Sequence, residues 1–434
     1  MSSDTLAAPE PPPRRRSRLP KGFSAFQHRN YRLFWFGQLI SVTGTWMQSL
    51  AQAWLVLSLT SSAFKLGLVG VFQFAPMLVF GLFAGMLADR LPKRKLLVVT
   101  QLMSGVLAGV LALLVFTDRV QLWHVYALAL GLGVVNAFDM TTRQAFVVDM
   151  VGKDDLMNAI ALNSSLFNAA RIIGPAIAGL LLAAFGPAIC FLVNSVSYIA
   201  VVAGLLAMRL EPRPAQARAR GVQQIREGLS YVRATPAVLL PMALVGAVAT
   251  FGINFNVWIP LLAKQNLHVG ASGFGVLMAA SGVGSLAGAL GLAFFMQGPR
   301  RLWMLGTAAL LGLLELGLAL AGAIPLGLPV AMLLLAGIGF ASSSTMATAN
   351  TTVQTNSPDE LRGRVMSVYM TINTGTAPFG GLIAGGVASH YGTPASIALG
   401  GAVTLLAASA ALSGGRARAV ARHMPALRRP GVKA

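Results

Sequence analysis

The sequence predicts an all-α membrane protein with twelve transmembrane helices in two pseudo-symmetric six-helix bundles. Composition is the first reason: 55% of the 434 residues are hydrophobic and only 11% are charged, whereas a soluble domain carries roughly 25% charged residues. Apolar runs of 18 or more residues are the second reason, because each is long enough to cross a bilayer core of about 30 Å. An internal repeat is the third.

Apolar spans follow one another along the chain, with a polar interruption after the sixth. The first six lie near residues 31–58, 66–88, 96–116, 122–148, 156–184 and 187–208. The last six lie near residues 237–263, 272–296, 302–322, 325–350, 362–388 and 394–413. The predicted parts of the chain are therefore a disordered basic tail (1–22), the first bundle (23–208), a linker (209–236), the second bundle (237–413) and a basic tail (414–434). The first 28 residues contain no apolar core, so no cleavable signal peptide is expected.

Lysine and arginine are concentrated on the side of the membrane that holds both termini. The loops of the opposite side contain only Lys65, Arg119 and Lys264. Basic loops remain in the cytoplasm, so we expect both termini to be cytoplasmic. The net charge of +20 then faces anionic lipid headgroups, and no nucleic-acid partner is expected.

Catalysis and cofactor binding are not indicated. The one cysteine, Cys190, lies in an apolar run, which excludes a disulfide or a cysteine-based metal site. No nucleophile–base set or phosphate-binding loop is present. We therefore expect a protein that is not an enzyme and has no cofactor.

Two stretches of the first half recur in the second half at the same distance. The pattern from Gly131 to Met140 returns from Gly337 to Met346, and Ala178-Gly179 returns as Ala384-Gly385, each 206 residues later. A parallel repeat of six helices is typical of transporters whose binding site lies between the two halves.

The linker contains an amphipathic segment. Four apolar residues fall on one helical face: Val222, Ile225, Leu229 and Val232. This pattern predicts a short helix on the cytoplasmic membrane surface, which is compatible with a simple spacer between the bundles.

Five polar residues recur at three- and four-residue intervals in the first span, which places them on one stripe: Gln38, Ser41, Thr45, Gln48 and Gln52. Lipid penalises such a stripe, so it faces protein or water. A substrate cavity and ordinary hydrogen bonding between helices both remain open as interpretations. Asn136 of the fourth span is a further candidate for the cavity.

Ionisable residues inside the spans are candidates for proton coupling. Asp139 and Arg143 are spaced i, i+4 and can pair, with a functional or a purely structural role. Arg171 lies near mid-membrane in the fifth span and needs an acidic or carbonyl partner, for which Asp139 is a candidate. Glu315 stands alone among leucines and is expected to be neutral much of the time. It is either a proton carrier or an inert residue at the bundle periphery.

A charged loop joins the second and third spans and runs Gly85-Met86-Leu87-Ala88-Asp89-Arg90-Leu91-Pro92-Lys93-Arg94. It resembles the G-x-L-A-D-R-x-G-R-R loop of the major facilitator superfamily, with Pro92 in place of Gly and Lys93 in place of Arg. The fifth span reads Gly174-Pro175-Ala176-Ile177-Ala178-Gly179 and resembles the antiporter signature of superfamily exporters.

The resemblance extends over about residues 23–413 and is greatest to the drug:proton antiporter branch that includes enterobactin-exporter-like and macrolide-efflux-like proteins. It implies a monomeric, proton-coupled exporter in the bacterial inner membrane, which carries small amphipathic, drug-like or siderophore-like molecules and works by alternating access. Two other classes remain open, namely a proton-independent facilitator or uptake porter of the same fold, and a non-transporting sensor or assembly partner.

The resemblance also implies a conformational gate formed by the charged loop: Gly85, Asp89, Arg90, Lys93 and Arg94. In the family, the Asp of this loop holds the cytoplasmic gate shut by facing the start of the eleventh helix. Ser357 and Glu360 predict a capping box at that start, while Arg362 and Arg364 are alternative partners for Asp89.

Overall fold

The computed structural model describes residues 21–152, 154–209, 222–295, 301–323 and 327–423, and these ranges contain helices and no strand. A 3₁₀ helix, Lys21–Gln27, begins the described chain. The first half then contains α1 (Arg29–Leu59), α2 (Ala63–Arg90), α3 (Lys93–Phe116), α4 (Leu122–Val151), α5 (Leu156–Phe185) and α6 (Pro187–Leu206).

The linker helix α7 (Val222–Ala234) precedes the second half. That half contains α8 (Pro236–Ala247), α9 (Phe255–Leu261), α10 (Ala271–Phe295), α11 (Arg301–Ala323), α12 (Gly327–Thr355), α13 (Asp359–Gly375), α14 (Ala377–Tyr391) and α15 (Thr393–His423).

The twelve predicted crossings are present in the described ranges. Ten helical stretches are long and apolar enough to span a membrane. The other two crossings are α1, which has 31 residues and carries the polar stripe, and the pair α13–α14. The chain is a multi-pass membrane protein.

The internal repeat is visible in the packing. In the first half α2 packs on α4 and α3 packs on α6; in the second half α10 packs on α12 and α11 packs on α15. Gly186 ends α5 with φ +77°, and Gly392, 206 residues later, ends α14 with φ +86°. Glycine adopts this left-handed region at low cost, so both halves turn into their last helix in the same way.

The predicted seventh span, 237–263, is not one continuous helix. A π-helical turn, Val248–Gly252, follows α8, and Ile253 and Asn254 leave helical geometry with ψ of 48° and 41°. The Asn254 amide donates to the carbonyls of Thr250 (2.9 Å) and Phe251 (3.3 Å). Such local side-chain bonds compete with the helical ladder, which accounts for the break.

Three other predicted boundaries differ from the structure. The eleventh span is divided at Thr376, before Pro378. Residues 414–423, predicted as part of the basic tail, continue the helix α15. Residues 21–22, predicted as disordered, belong to the 3₁₀ helix. The predicted segments 1–20, 210–221 and 424–434 lie outside the described residues.

The amphipathic linker helix packs against the second half. The Arg364 guanidinium of α13 pairs with the Glu227 carboxylate, and the Tyr231 hydroxyl donates to the Asn356 carbonyl at 2.9 Å. Val232 is buried. This helix is therefore held by protein contacts as well as by its apolar face.

Candidate functional site

A pocket of about 110 Å³ lies between the two halves, bordered by α1, α2, the π-helical turn Val248–Gly252, α9 and α14. Amide side chains supply much of its polar lining: Gln52, Gln73, Asn254 and Asn256. Pockets that bind drug-sized ligands have volumes of roughly 300–1,000 Å³. The pocket in this conformation therefore accommodates part of such a molecule.

The two halves touch closely on the side of the molecule away from α7, which we call the far side. There α5 crosses α10 at Gly179 and Gly275, where a β-carbon on Gly275 would lie 2.6 Å from the Gly179 Cα. The ring of Trp54 stacks on that of Phe274 with centroids 5.9 Å apart. Glycine is required at such a crossing because it lets two backbones meet.

The contact of α2 with α14 closes the other edge of the far side. A β-carbon on Gly385 would lie 2.6 Å from the Ala63 carbonyl oxygen. The Lys264 ammonium also donates to the Leu57 carbonyl across the two halves. These contacts exclude solvent from the far side of the pocket.

The opposite side, which carries α7 and which we call the linker side, is less tightly joined. Along the eleventh crossing, α2 packs extensively on α14 but sparsely on α13. The molecule is therefore closed on the far side and open toward the linker side.

The middle of the predicted polar stripe faces α6. The Gln48 carbonyl oxygen accepts from the Asn194 amide at 2.6 Å. The Thr45 hydroxyl lies 3.4 Å from that of Tyr198 and donates to the Ser41 carbonyl at 3.0 Å. At these positions the stripe makes hydrogen bonds between and within helices.

The two ends of the stripe have different surroundings. Gln52 lines the pocket between the halves. Gln38 is buried and accepts a hydrogen bond from Arg143. Asn136, on the same face of α4 as Arg143, is half-buried. Of the six predicted cavity residues, only Gln52 lies in this pocket.

Asp139 and Arg143 form the predicted i, i+4 ion pair. Asp139 is 4% exposed. Its Oδ1 accepts from the Thr100 hydroxyl at 2.9 Å and from the Gln101 amide at 2.7 Å, while Oδ2 pairs with Arg143. The cluster joins α1, α3 and α4, because Arg143 also donates to Gln38.

Arg171 has a different environment from the one predicted. Asp139 was a candidate partner, but its oxygens are bonded within its own cluster. The Arg171 Cζ lies 5.8 Å from the ring centroids of both Trp46 and Phe255. Two aromatic rings, at a distance that allows cation–π attraction, thus lie where an acidic or carbonyl partner was expected.

Glu315 is fully buried in α11. Within the described chain neither of its carboxyl oxygens has a hydrogen-bond partner, and the same holds for the Thr404 hydroxyl oxygen. A β-carbon on Gly252 would lie 3.4 Å from Glu315 Oε1 and 2.8 Å from Thr404 Oγ1. The carboxyl group therefore lies beside the break in the seventh crossing.

The family described as transmembrane secretion effector matches residues 21–426. The chain belongs to this family of the major facilitator superfamily. The multidrug efflux pump Tap of Mycolicibacterium fortuitum is 30% identical over 377 residues, which cover 84% of this chain and 90% of that protein. The staphyloferrin A transporter of Staphylococcus aureus is 24% identical, with coverages of 86% and 93%. The enterobactin exporter EntS of Shigella boydii is 27% identical, with coverages of 86% and 89%.

Solved structures of the superfamily share the fold. A bacterial homologue of the human lysosomal transporter Spinster superposes with a TM-score of 0.71 at 14% identity, over 94% of this chain and 100% of that one. The nucleoside transporter NupG gives a TM-score of 0.65 at 14% identity, over 91% and 100%.

The basic residues of the superfamily loop contact their own half. The Lys93 ammonium pairs with the Asp149 carboxylate at 2.6 Å, and the Arg94 guanidinium donates to the Leu206 carbonyl at 2.6 Å. Arg90 ends α2 and is exposed. In this conformation the loop is tied to the ends of α4 and α6.

Gly85 and Asp89 of the predicted gate belong to α2, and the Asp89 side chain lies outside the described residues. The predicted capping box is wrong. The Ser357 hydroxyl donates back to the Val353 carbonyl at 2.6 Å, and α13 begins at Asp359 without a side-chain cap. Pro358 occupies the N-cap position of α13, and Ser357 bonds to α12 instead.

The antiporter-like motif lies where α5 meets other helices. A β-carbon on Gly174 would lie 2.6 Å from the Trp46 Cβ, and Gly179 meets Gly275. The helix α5 continues through Pro175. The small residues of the motif therefore permit contact with α1 and with the second half.

Sequence reasoning missed Asn254 and Asn256 as lining residues, and Asn194 and Tyr198 as partners of the stripe. A signal was present for the first pair: two asparagines flank Phe255 inside an apolar span, and polar residues at membrane depth mark cavities or polar contacts.

Proposed function

We propose that this chain is a proton-coupled exporter of small amphipathic molecules, drug-like or siderophore-like, that works by alternating access. The observation that supports this proposal most is that the two halves close on one side of a polar pocket. Transporters of this architecture open the same central site to alternate sides by rocking two bundles. Relatives named as an efflux pump and as a siderophore exporter support the export direction.

The proposal places the chain in the bacterial inner membrane as a monomer with both termini in the cytoplasm. The excess of lysine and arginine on the terminal side supports this orientation. The linker side is then cytoplasmic, and the described conformation is inward-open. Basic residues of this side would also contact anionic lipids.

Asp139 is the proposed proton site of the first half. A buried carboxylate shared among Arg143, Thr100 and Gln101 exchanges its ion pair for a neutral hydrogen-bonded group when it takes up a proton. That exchange changes the contacts of α1, α3 and α4 together. Glu315 is the second candidate, since its sealed carboxyl adjoins the break between α8 and α9.

Asp89 is proposed to lock the linker side when that side closes, as the superfamily loop implies. The Arg364 side chain, one candidate partner, is paired with Glu227 in the open form. Closure would therefore require either a change of partner or contact of Asp89 with the start of α13.

Transport in vesicles of defined orientation tests the function. Purified protein is reconstituted, and uptake of dyes, antibiotics and siderophores that shift its thermal stability is measured with and without an imposed pH gradient. Gradient-dependent uptake is expected for the wild type and for Asp118→Asn, a matched control because Asp118 is exposed in a far-side loop. Asp139→Asn or Glu315→Gln should abolish that dependence.

Transport that is unaffected by the gradient would identify a facilitator instead. If no compound binds or is transported, the sensor or assembly role becomes the better interpretation.

A further inference from the structure

Arg171 is a cation held between the two halves of the protein. Its Cζ lies 5.8 Å from the ring of Trp46 in the first half and 5.8 Å from the ring of Phe255 in the second. Arginine deep in a transmembrane helix is costly unless it has partners or serves a ligand. The position of Arg171 therefore indicates a functional role.

The guanidinium has no acidic partner in the described part of the chain. Neither of the two acids described at membrane depth pairs with Arg171. Asp139 is bonded to Arg143, and the Glu315 carboxyl is buried in α11. Arg171 is surrounded by protein, yet part of its surface remains solvent accessible. A guanidinium carries five N–H donors, so donors remain available to a ligand.

The position of Arg171 connects it with the pocket between the halves. Trp46 lies one helical turn before Ser49, and Phe255 lies between Asn254 and Asn256. Ser49 and both asparagines line the pocket, whose described lining contains no acidic residue. Arg171 and its two rings do not line the pocket themselves; they lie beside it, next to lining residues of α1 and α9.

We propose that Arg171, Trp46 and Phe255 form an anion-binding subsite, and that the protein selects planar aromatic anions over aromatic cations of the same shape. A carboxylate accepts two parallel hydrogen bonds from a guanidinium, while the aromatic body of the ligand stacks on a ring. A cation meets a like charge and finds no carboxylate. This inference rests on the proposed transport function, whose substrate class it narrows.

The two rings belong to opposite halves, which gives the subsite a second property. A ligand that occupies it contacts both halves at once, so it is released when the halves separate on the far side. Alternatively, Arg171 only holds the two halves together through its two aromatic contacts. The two roles differ in whether the charge of a ligand affects its binding.

Two dyes with the same xanthene ring and opposite charge are suitable probes: fluorescein, an anion at pH 8, and rhodamine 123, a cation. Binding to the purified full chain is measured by fluorescence polarisation. We expect the wild type to bind fluorescein at least about tenfold more tightly, a factor that corresponds to about 1.4 kcal/mol. This comparison needs no variant.

Variants then assign the preference to one side chain. Arg171→Gln should lose about tenfold or more in fluorescein affinity and leave rhodamine 123 binding unchanged or improved. Arg171→Lys, which keeps the charge without the planar fork, should fall between. Arg119→Gln removes a charge from an exposed far-side loop and should bind both dyes like the wild type.

Three results would overturn the subsite: a wild-type preference for rhodamine 123, unchanged fluorescein binding in Arg171→Gln, or an equal loss for both dyes. The last would identify a structural contact between the halves. If the charge preference is found but vesicles transport neither dye, the proposed transport function fails while the subsite stands.

Discussion

A methyl group at Gly275 should shift the protein away from the far-side-closed form. In the structure the new β-carbon would lie 2.6 Å from the Gly179 Cα and 2.9 Å from the Pro175 carbonyl oxygen. Both are backbone atoms of α5 and cannot rotate away. Ordinary contact begins at 3.4 Å, so α5 and α10 must separate by about 0.8 Å at this crossing.

The cost of that separation applies to one conformation only. Inserting a methyl group into a well-packed contact costs about 1–3 kcal/mol. When the far side opens, α5 and α10 part and the cost disappears. Gly275→Ala should therefore change the ratio of the two forms by about 5- to 150-fold in favour of far-side opening.

Cysteine labelling from the far side measures the shift. Cys190 is first replaced, and a reporter cysteine is placed at Leu66, which is 4% exposed and lines the pocket. A membrane-impermeant maleimide should then react faster in the Gly275→Ala background. Gly291→Ala is the matched control in the same helix, because its β-carbon would lie 3.9 Å from the Phe340 ring. Equal labelling rates for both variants would refute the reasoning.

Three further outcomes are expected. Arg143→Ala should lower the free energy of unfolding by about 3–5 kcal/mol, because it leaves a buried carboxylate unpaired, and Arg143→Lys should lower it far less. Equal melting temperatures for the two variants would contradict this. Hydrogen bonds from Ser24 and His28 hold the pKa of Asp155 below its usual range, so they stabilise docking of the 3₁₀ helix above the unfolded pKa of about 3.9. That stabilisation should be lost as the pH falls through the lower folded value, and hydrogen exchange at residues 21–27 should show no such pH dependence in Asp155→Asn. Glu227→Gln should loosen α7 by at most about 1 kcal/mol, since its ion pair is partly exposed; exchange should rise in α7 alone, and a global loss of stability would be inconsistent with this.

The sequence alone was sufficient for the number of crossings, for most helix ends and for the repeat. Apolar length and turn residues are local properties, so the break between α5 and α6 at Gly186 is already encoded there. The i, i+4 pair of Asp139 and Arg143 was predictable for the same reason, because both residues lie on one face of a single helix.

Tertiary packing decided which neighbour each face meets. Periodicity placed the polar residues of α1 on one stripe, but only the structure shows Gln48 against Asn194, 146 residues away, and Gln52 at the pocket. It also gave Arg171 two aromatic neighbours instead of Asp139. The break at Asn254 overrode an apolar pattern that favours a continuous helix. Helical period determines which side chains share a face, whereas the partner across that face depends on contacts between segments far apart in the chain.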